Sequence, residues 1–168
     1  AASGDGAVVS MAAGHSSQSV GGGVIVRSGD GRGSGPISIQ SSNVGTFGDS
    51  GRLSIASGTT AAGQAGSVLI AGGTSDNGNG AAIAVVGGNG ESEGGSISFK
   101  GGNSATLGST VSIASGDGTQ GSGSITIQSA ASAMASGLVQ LGTGSSSVAH
   151  SGRLHLATGA SQSFLSGN

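Results

Sequence analysis

The 168-residue sequence contains no cysteine, no tryptophan and no tyrosine, and it has only three phenylalanines and one proline. The lack of cysteine excludes a disulfide framework and thiolate metal sites. With so few aromatic side chains, the chain cannot build a globular core around aromatic residues. Something other than bulky side chains must therefore organise the backbone.

Charge is also scarce. Charged residues make up 7% of the chain, the formal net charge is −2, and the five lysines and arginines form no run. Nucleic acids and anionic membranes attract clustered basic residues, so we expect binding to neither. No apolar run approaches the roughly 18 residues that membrane insertion requires. The combination of high charge and low hydrophobicity that is typical of disordered chains is absent as well.

What the sequence does contain is a regular series of apolar pairs among 38 glycines. In each pair, here called a doublet, two aliphatic or similar residues flank a single residue, which gives the period of two expected of a β-strand. Eleven doublets follow one another at nearly even spacing, which predicts a repeat architecture. The doublets are Val9/Met11, Val24/Val26, Ile37/Ile39, Leu53/Ile55, Val68/Ile70, Ile83/Val85, Ile97/Phe99, Val111/Ile113, Ile125/Ile127, Val139/Leu141 and Leu154/Leu156.

The repeat predicts an all-β fold, a parallel β-solenoid extending over residues 1–168 with no separate second domain. The stretch "VIVRSGDGRGSGPISIQS" at residues 24–41 has a near copy at residues 111–129, an offset of three large rungs. A rung of about 28–31 residues with two strands is favoured, because each repeat must bury its apolar face against a neighbour. The alternative is a rung of about 14–15 residues with one strand. Glycine would supply the positive φ that tight corners need.

The choice between the two rung sizes depends on bulky apolar residues in the loops. Alternate loops carry one, as if to fill the interior of a larger rung: Val20, Phe47, Leu107, Met134 and Phe164. Val148 breaks this alternation, and the loop after the fifth doublet lacks such a residue, so both rung sizes stay open.

The residues between the two members of the doublets form a candidate interaction stripe. In a solenoid they would point outward, and many carry a hydroxyl group: Ser38, Ser54, Ser98, Ser112 and Thr126. Such a row could bind ice, a glycan or a sister chain, or it could simply face solvent. Ice-binding solenoids resemble repeated Thr-x-Thr arrays, and in this row only Thr126 is a threonine.

No other constellation predicts chemistry. Asp5, Asp30 and Asp117 lie in matching "SGDG" segments, where a turn-forming role explains them better than calcium, which needs several converging oxygen ligands. The three histidines, His15, His150 and His155, show no metal-ligand spacing. The basic residues do not gather around acids at the repeat spacing. We therefore expect no enzyme activity, no metal and no cofactor.

The motif formed by "STVSIASGDG" at residues 109–118 and "GSITIQS" at residues 123–129 resembles the Gly/Ser-rich β-solenoid repeats of large extracellular proteins. Such repeats belong to secreted and cell-surface proteins of algae and related microbial eukaryotes, and to adhesins. The resemblance implies an extracellular or cell-surface fibre, appendage or matrix component.

These observations lead to one expected function and one alternative. The first is a structural protein, a rigid rod or filament segment that self-associates end to end or laterally and that could carry or bind glycans. The alternative is an ice- or glycan-binding module that uses the hydroxyl stripe. Because residues 2–6 repeat residues 114–118 without the doublet that precedes the later copy, we expect the chain to be a segment of a longer repetitive protein.

Overall fold

The computed structural model describes residues 5–45 and 47–160. Within these ranges the chain forms neither a helix nor a strand, and no residue is buried. The accessible surface of the whole chain is 16912 Å², whereas a compact monomer of 15.3 kDa exposes about 7,000 Å². The protein thus keeps most of its surface in contact with solvent.

The prediction of a parallel β-solenoid is therefore wrong for the described residues, with rungs of either size. No helix forms, as an all-β fold implies, but no strand forms either, and the segments around the doublets do not pair with one another. The backbone hydrogen bonds outside regular structure all join residues three to eight positions apart, so they close loops and do not link one rung to the next. A solenoid requires that ladder between rungs, and here it is missing.

The periodicity of the sequence nevertheless has a structural counterpart. The described chain bends ten times, once between each pair of successive doublets, and no bend falls within a doublet. The bends are at residues 17–19, 31–33, 47–48, 61–63, 76–78, 91–92, 105–106, 119–120, 133–134 and 147–149. The doublets thus lie in the segments between bends, and the glycine-rich stretches contain the bends.

Each loop begins and ends at two small residues that face each other. We call them the neck pair: the first lies two residues after a doublet, and the second lies two residues before the next doublet. A Cβ placed on the glycine of each pair would meet its partner within 4 Å. The pairs are Ala13/Gly22, Ser28/Gly35, Ser41/Gly51, Ser57/Gly66, Gly72/Ala81, Gly87/Gly95, Gly101/Ser109, Ser115/Gly123, Ser129/Gly137 and Thr143/Gly152. Loops with ends this close have the defining feature of Ω-loops.

A backbone hydrogen bond accompanies six of the ten necks. In each of them the N–H of the second neck residue donates to the carbonyl oxygen of the residue that follows the first one, at N–O distances of 2.8 to 3.4 Å. The bonds run from Gly22 to Gly14, Gly35 to Gly29, Ala81 to Gly73, Gly95 to Gly88, Ser109 to Gly102 and Gly123 to Gly116. The acceptor is a glycine every time, so the backbone alone makes this contact.

The necks are also the most sheltered part of the described chain. Only five described residues are partly exposed and not fully exposed, and four of these five are first neck residues. They are Ser16, Ser28, Gly87, Gly101 and Ser129, of which only Ser16 lies outside a neck.

Glycine thus serves mainly to let two segments approach, and only rarely to allow an unusual backbone angle. Among the described residues a positive φ occurs only at Gly48 and Gly63, both in bends, at 109° and 129°. The expectation that glycine supplies positive φ at most corners is wrong, because most corners are bends that ordinary φ values allow.

The chain divides into two units, Ala1–Ile83 and Ala84–Asn168, and each contains five of the ten necks. No neck pair crosses the boundary. Phe164 and the start of the residue 2–6 echo lie outside the described residues, and membership of a longer repetitive protein stays a prediction.

Because the sequence has no cysteine, a neck can be tested with an introduced pair. A Cβ on Gly137 would lie 3.7 Å from the Ser129 Cβ, inside the range of about 3.5–4.5 Å found in disulfides. We expect the Ser129→Cys/Gly137→Cys variant to form an intrachain disulfide when oxidised at low concentration, measured by thiol titration and mass spectrometry.

The matched control is Met134→Cys/Gly142→Cys, which has the same spacing along the chain, while a Cβ on Gly142 meets nothing within 4 Å. We expect the disulfide of the neck variant to form about tenfold more readily in a glutathione buffer, since only its geometry fits the bond. Equal formation in both variants would contradict the neck.

Candidate interaction surface

The doublets present a regular, incompletely covered apolar surface. From the second doublet onward, the first member is 45–57% exposed and the second member 60–78% exposed. The first member is more sheltered in every one of these doublets, and it lies two residues beyond a neck. The side chains that the sequence assigned to a core are therefore only partly removed from water.

The residue between the two members points away from this surface, as the period of two predicts. Ile25 and Leu69 occupy that position and are 81% and 85% exposed, more than either of their flanking neighbours. The local alternation of the doublets is therefore present even though no strand forms.

The predicted hydroxyl stripe occupies the same intermediate position. All five of its residues are exposed: Ser38, Ser54, Ser98, Ser112 and Thr126. Each lies in a different extended segment, and the described residues form no sheet that would align them in a flat row. Their role in binding stays a prediction, and the array that motivated it is not formed.

Serine hydroxyl groups stabilise several bends from within. Ser16 accepts a hydrogen bond from the Ser19 amide at 3.0 Å, and Ser146 accepts one from the Ala149 amide at the same distance. Ser104 and Ser132 bond to the amides of residues 106 and 134 at 3.2 Å. These contacts are turns closed by a hydroxyl group, which explains part of the serine content without any catalytic role.

The same bends carry the bulky apolar residues that the sequence placed inside a rung. That placement is wrong, because these side chains are 85–98% exposed. They are Val20, Phe47, Leu107 and Met134, while Phe164 lies outside the described residues. Val148, which breaks the alternation, is 95% exposed as well. The described chain thus has two classes of apolar side chain. The doublets are partly sheltered near the necks, and the loop residues are almost fully exposed.

A polar cavity of about 500 Å³ lies where the second doublet leads into its loop, lined by Arg27, Ser28, Gly29 and Asp30. Asp30 is the residue that the sequence weighed as a calcium ligand, and it is the single carboxylate in this lining. Calcium takes six to eight oxygen ligands and usually several carboxylates, so the cavity does not fit that ion.

Other chemical groups are dispersed. Among residues 5–45 and 47–160, no three His, Cys, Asp or Glu side chains lie close enough to hold a metal ion. The Arg153 guanidinium Nη2 lies 3.4 Å from the His155 ring Nδ1. A helix of the length and apolar character needed to cross a bilayer is not found in this part of the chain.

In comparisons with known proteins, no family model, curated protein or solved structure matches the chain.

The serine-closed bends can be tested at Ser104, whose hydroxyl oxygen accepts the Thr106 amide and lies 3.3 Å from the Thr106 hydroxyl. We expect Ser104→Ala to speed amide hydrogen exchange at Thr106 about fivefold, since one net hydrogen bond contributes ~1 kcal/mol. NMR of the labelled chain measures the rate. Ser122→Ala, in a bend region without a hydroxyl–amide bond of its own, serves as control and should leave the Thr106 rate unchanged.

Proposed function

We propose that this chain is a structural protein that self-associates, and that its repeated doublets are the surface through which copies join. The observation that carries the proposal is the regular, partial exposure of the doublets from the second to the eleventh. Contact with a second copy would remove these side chains from water, which is favourable for apolar surface.

The amount of exposed surface supports the same conclusion. The chain exposes more than twice the area expected of a compact monomer of its mass. Burial of apolar area contributes about 25 cal/mol per Å². A second copy, whose doublets have the same spacing, can therefore cover the half-exposed doublets and add stabilisation that the single chain lacks.

The backbone and the charges favour a like partner. The extended segments have no regular partners for their N–H and C=O groups among the described residues, and such groups are templates for pairing with another chain. With 7% charged residues and a net charge of −2, little electrostatic repulsion opposes close approach.

Extracellular or cell-surface location and attached glycans belong to the same proposal. They follow from the resemblance to Gly/Ser-rich repeats and from the many exposed hydroxyl groups in the loops. Binding of ice or glycans by the stripe from Ser38 to Thr126 is the weaker alternative, because its flat array of hydroxyls is not formed in the described residues.

The test is a concentration series by sedimentation velocity and light scattering. We expect the chain to assemble with rising concentration, and Ile125→Ser/Ile127→Ser to raise the concentration needed for assembly. Leu107→Ser and Leu138→Ser are the matched controls, since both remove an exposed aliphatic side chain outside the doublets. Their assembly should resemble that of the parent chain.

The two methionines provide a second, internal readout. Met11 belongs to a doublet and is 74% exposed, whereas Met134 lies at a loop tip and is 98% exposed. In dilute monomer both should oxidise readily with peroxide. In the assembled state Met11 should be protected and Met134 should not, as measured by mass spectrometry of peptides. Protection of neither, or a chain that stays monomeric at every concentration, would contradict the proposal.

A further inference from the structure

Three asparagines in two successive loops are each followed directly by glycine. Asn77 and Asn79 lie between the fifth and sixth doublets, and Asn89 lies between the sixth and seventh. We infer that these three residues are sites of spontaneous deamidation, at which the side-chain amide is lost as ammonia and a carboxylate takes its place. The reaction needs no enzyme, because the backbone of the chain itself supplies the nucleophile.

The chemical step is an attack of the backbone on the side chain. The backbone nitrogen of the following glycine forms a bond to the side-chain carbonyl carbon of the asparagine. The bond from that carbon to the amide nitrogen breaks, and ammonia leaves with the proton of the glycine N–H. Water then opens the resulting succinimide ring at one or the other carbonyl group. The products are aspartate and isoaspartate, in which the backbone runs through the side chain, and nothing is oxidised or reduced.

A hairpin turn is the structural role that an Asn-Gly pair most often has, and it would hold the backbone in one conformation. The turn in question, type I′, requires a positive φ at both of its central residues. Among the described residues no asparagine has a positive φ, and the glycines that have one are Gly48 and Gly63. The three pairs are therefore not held in the hairpin turn that their sequence favours.

The reacting groups are exposed and unbonded. The three asparagines are exposed, and so are the glycines that follow them, Gly78, Gly80 and Gly90. Within the described part of the chain, neither the side-chain amides of these asparagines nor the N–H groups of these glycines take part in a hydrogen bond. Glycine also has no Cβ to crowd its nitrogen. The attacking nitrogen and the carbon that it attacks are thus both accessible.

Two other described asparagines serve as internal references. Asn43 precedes Val44 and Asn103 precedes Ser104, and both asparagines are exposed as well. A side chain on the following residue, above all a β-branched one, restricts the backbone rotations that bring its nitrogen to the asparagine. We therefore expect Asn43 and Asn103 to stay intact while the other three react.

Each event adds one negative charge, because the new carboxylate is ionised at neutral pH. Three events take the formal net charge of the chain from −2 to −5. The sequence between Arg52 and Lys100 contains no basic residue that would balance these charges. One consequence rests on the proposed self-association: the added charge would oppose the close approach of identical chains.

The experiment follows the chain at neutral pH and at a concentration where it is monomeric, so that its outcome does not depend on self-association. Peptide mass spectrometry measures, at each asparagine, the mass gained when ammonia is replaced by water. We expect Asn77, Asn79 and Asn89 to react about tenfold faster than Asn43 and Asn103. A parallel incubation in guanidinium chloride should give the same rates for the three sites, because no turn protects them in the native chain.

Gly80→Val tests the role of the following residue. A Cβ on Gly80 would lie 3.7 Å from the Gly73 carbonyl oxygen, an ordinary contact, so the loop can accept it. The same change at Gly90 is less suitable, because a Cβ there would collide with the Glu93 carbonyl oxygen. We expect Gly80→Val to slow the reaction at Asn79 about tenfold, since valine restricts the backbone that must close the ring.

Val44→Gly is the reciprocal variant, and it should make Asn43 react at a rate similar to that of the three natural sites. In both variants Asn89 is the internal control, and its rate should stay unchanged. The inference is overturned if the three sites react no faster than Asn43 and Asn103 in the parent chain. It is also overturned if they react much more slowly in the native chain than in guanidinium chloride.

Discussion

The close approach of two backbone segments at each loop neck is the constraint on which the rest of the structure depends. It is a contact between small residues, so it buries little apolar surface and can stabilise only its own loop. It nevertheless fixes where each loop begins and ends. The doublets lie between successive necks, and from the second doublet onward the first member, which follows a neck directly, is more sheltered than the second.

This local closure explains why the chain keeps its apolar residues partly in water. Each neck joins positions seven to ten residues apart along the chain, and such short loops close at a small entropic cost. Bringing doublets together requires longer loops and a side-chain volume that a chain without tryptophan and tyrosine lacks. The local contact therefore forms within the chain, and the doublets stay partly exposed.

The sequence predicted the period of the doublets, and the ten bends follow that period because both depend on the local alternation of aliphatic and glycine-rich stretches. Ile25 and Leu69, which lie between the members of their doublets, are more exposed than both flanking residues, although the solenoid in which that position would face outward does not form. The sequence did not predict that rungs fail to pair, because period and apolar alternation are the same whether segments stack or stay apart. The neck was missed, although glycine two residues before most doublets was a visible signal.

Glycine illustrates why composition alone misled. An abundance of glycine fits left-handed corners as well as close approaches, and only coordinates distinguish the two. Here Gly48 and Gly63 are of the first kind, whereas the neck glycines are of the second. At Gly72, Gly87 and Gly101 the close approach is to a backbone carbonyl oxygen, so a side chain at any of these three positions would displace the backbone. The necks join positions seven to ten residues apart, so one arrangement closes loops of different lengths. Under the proposed self-association, each doublet beside a neck would offer a second copy the same kind of contact.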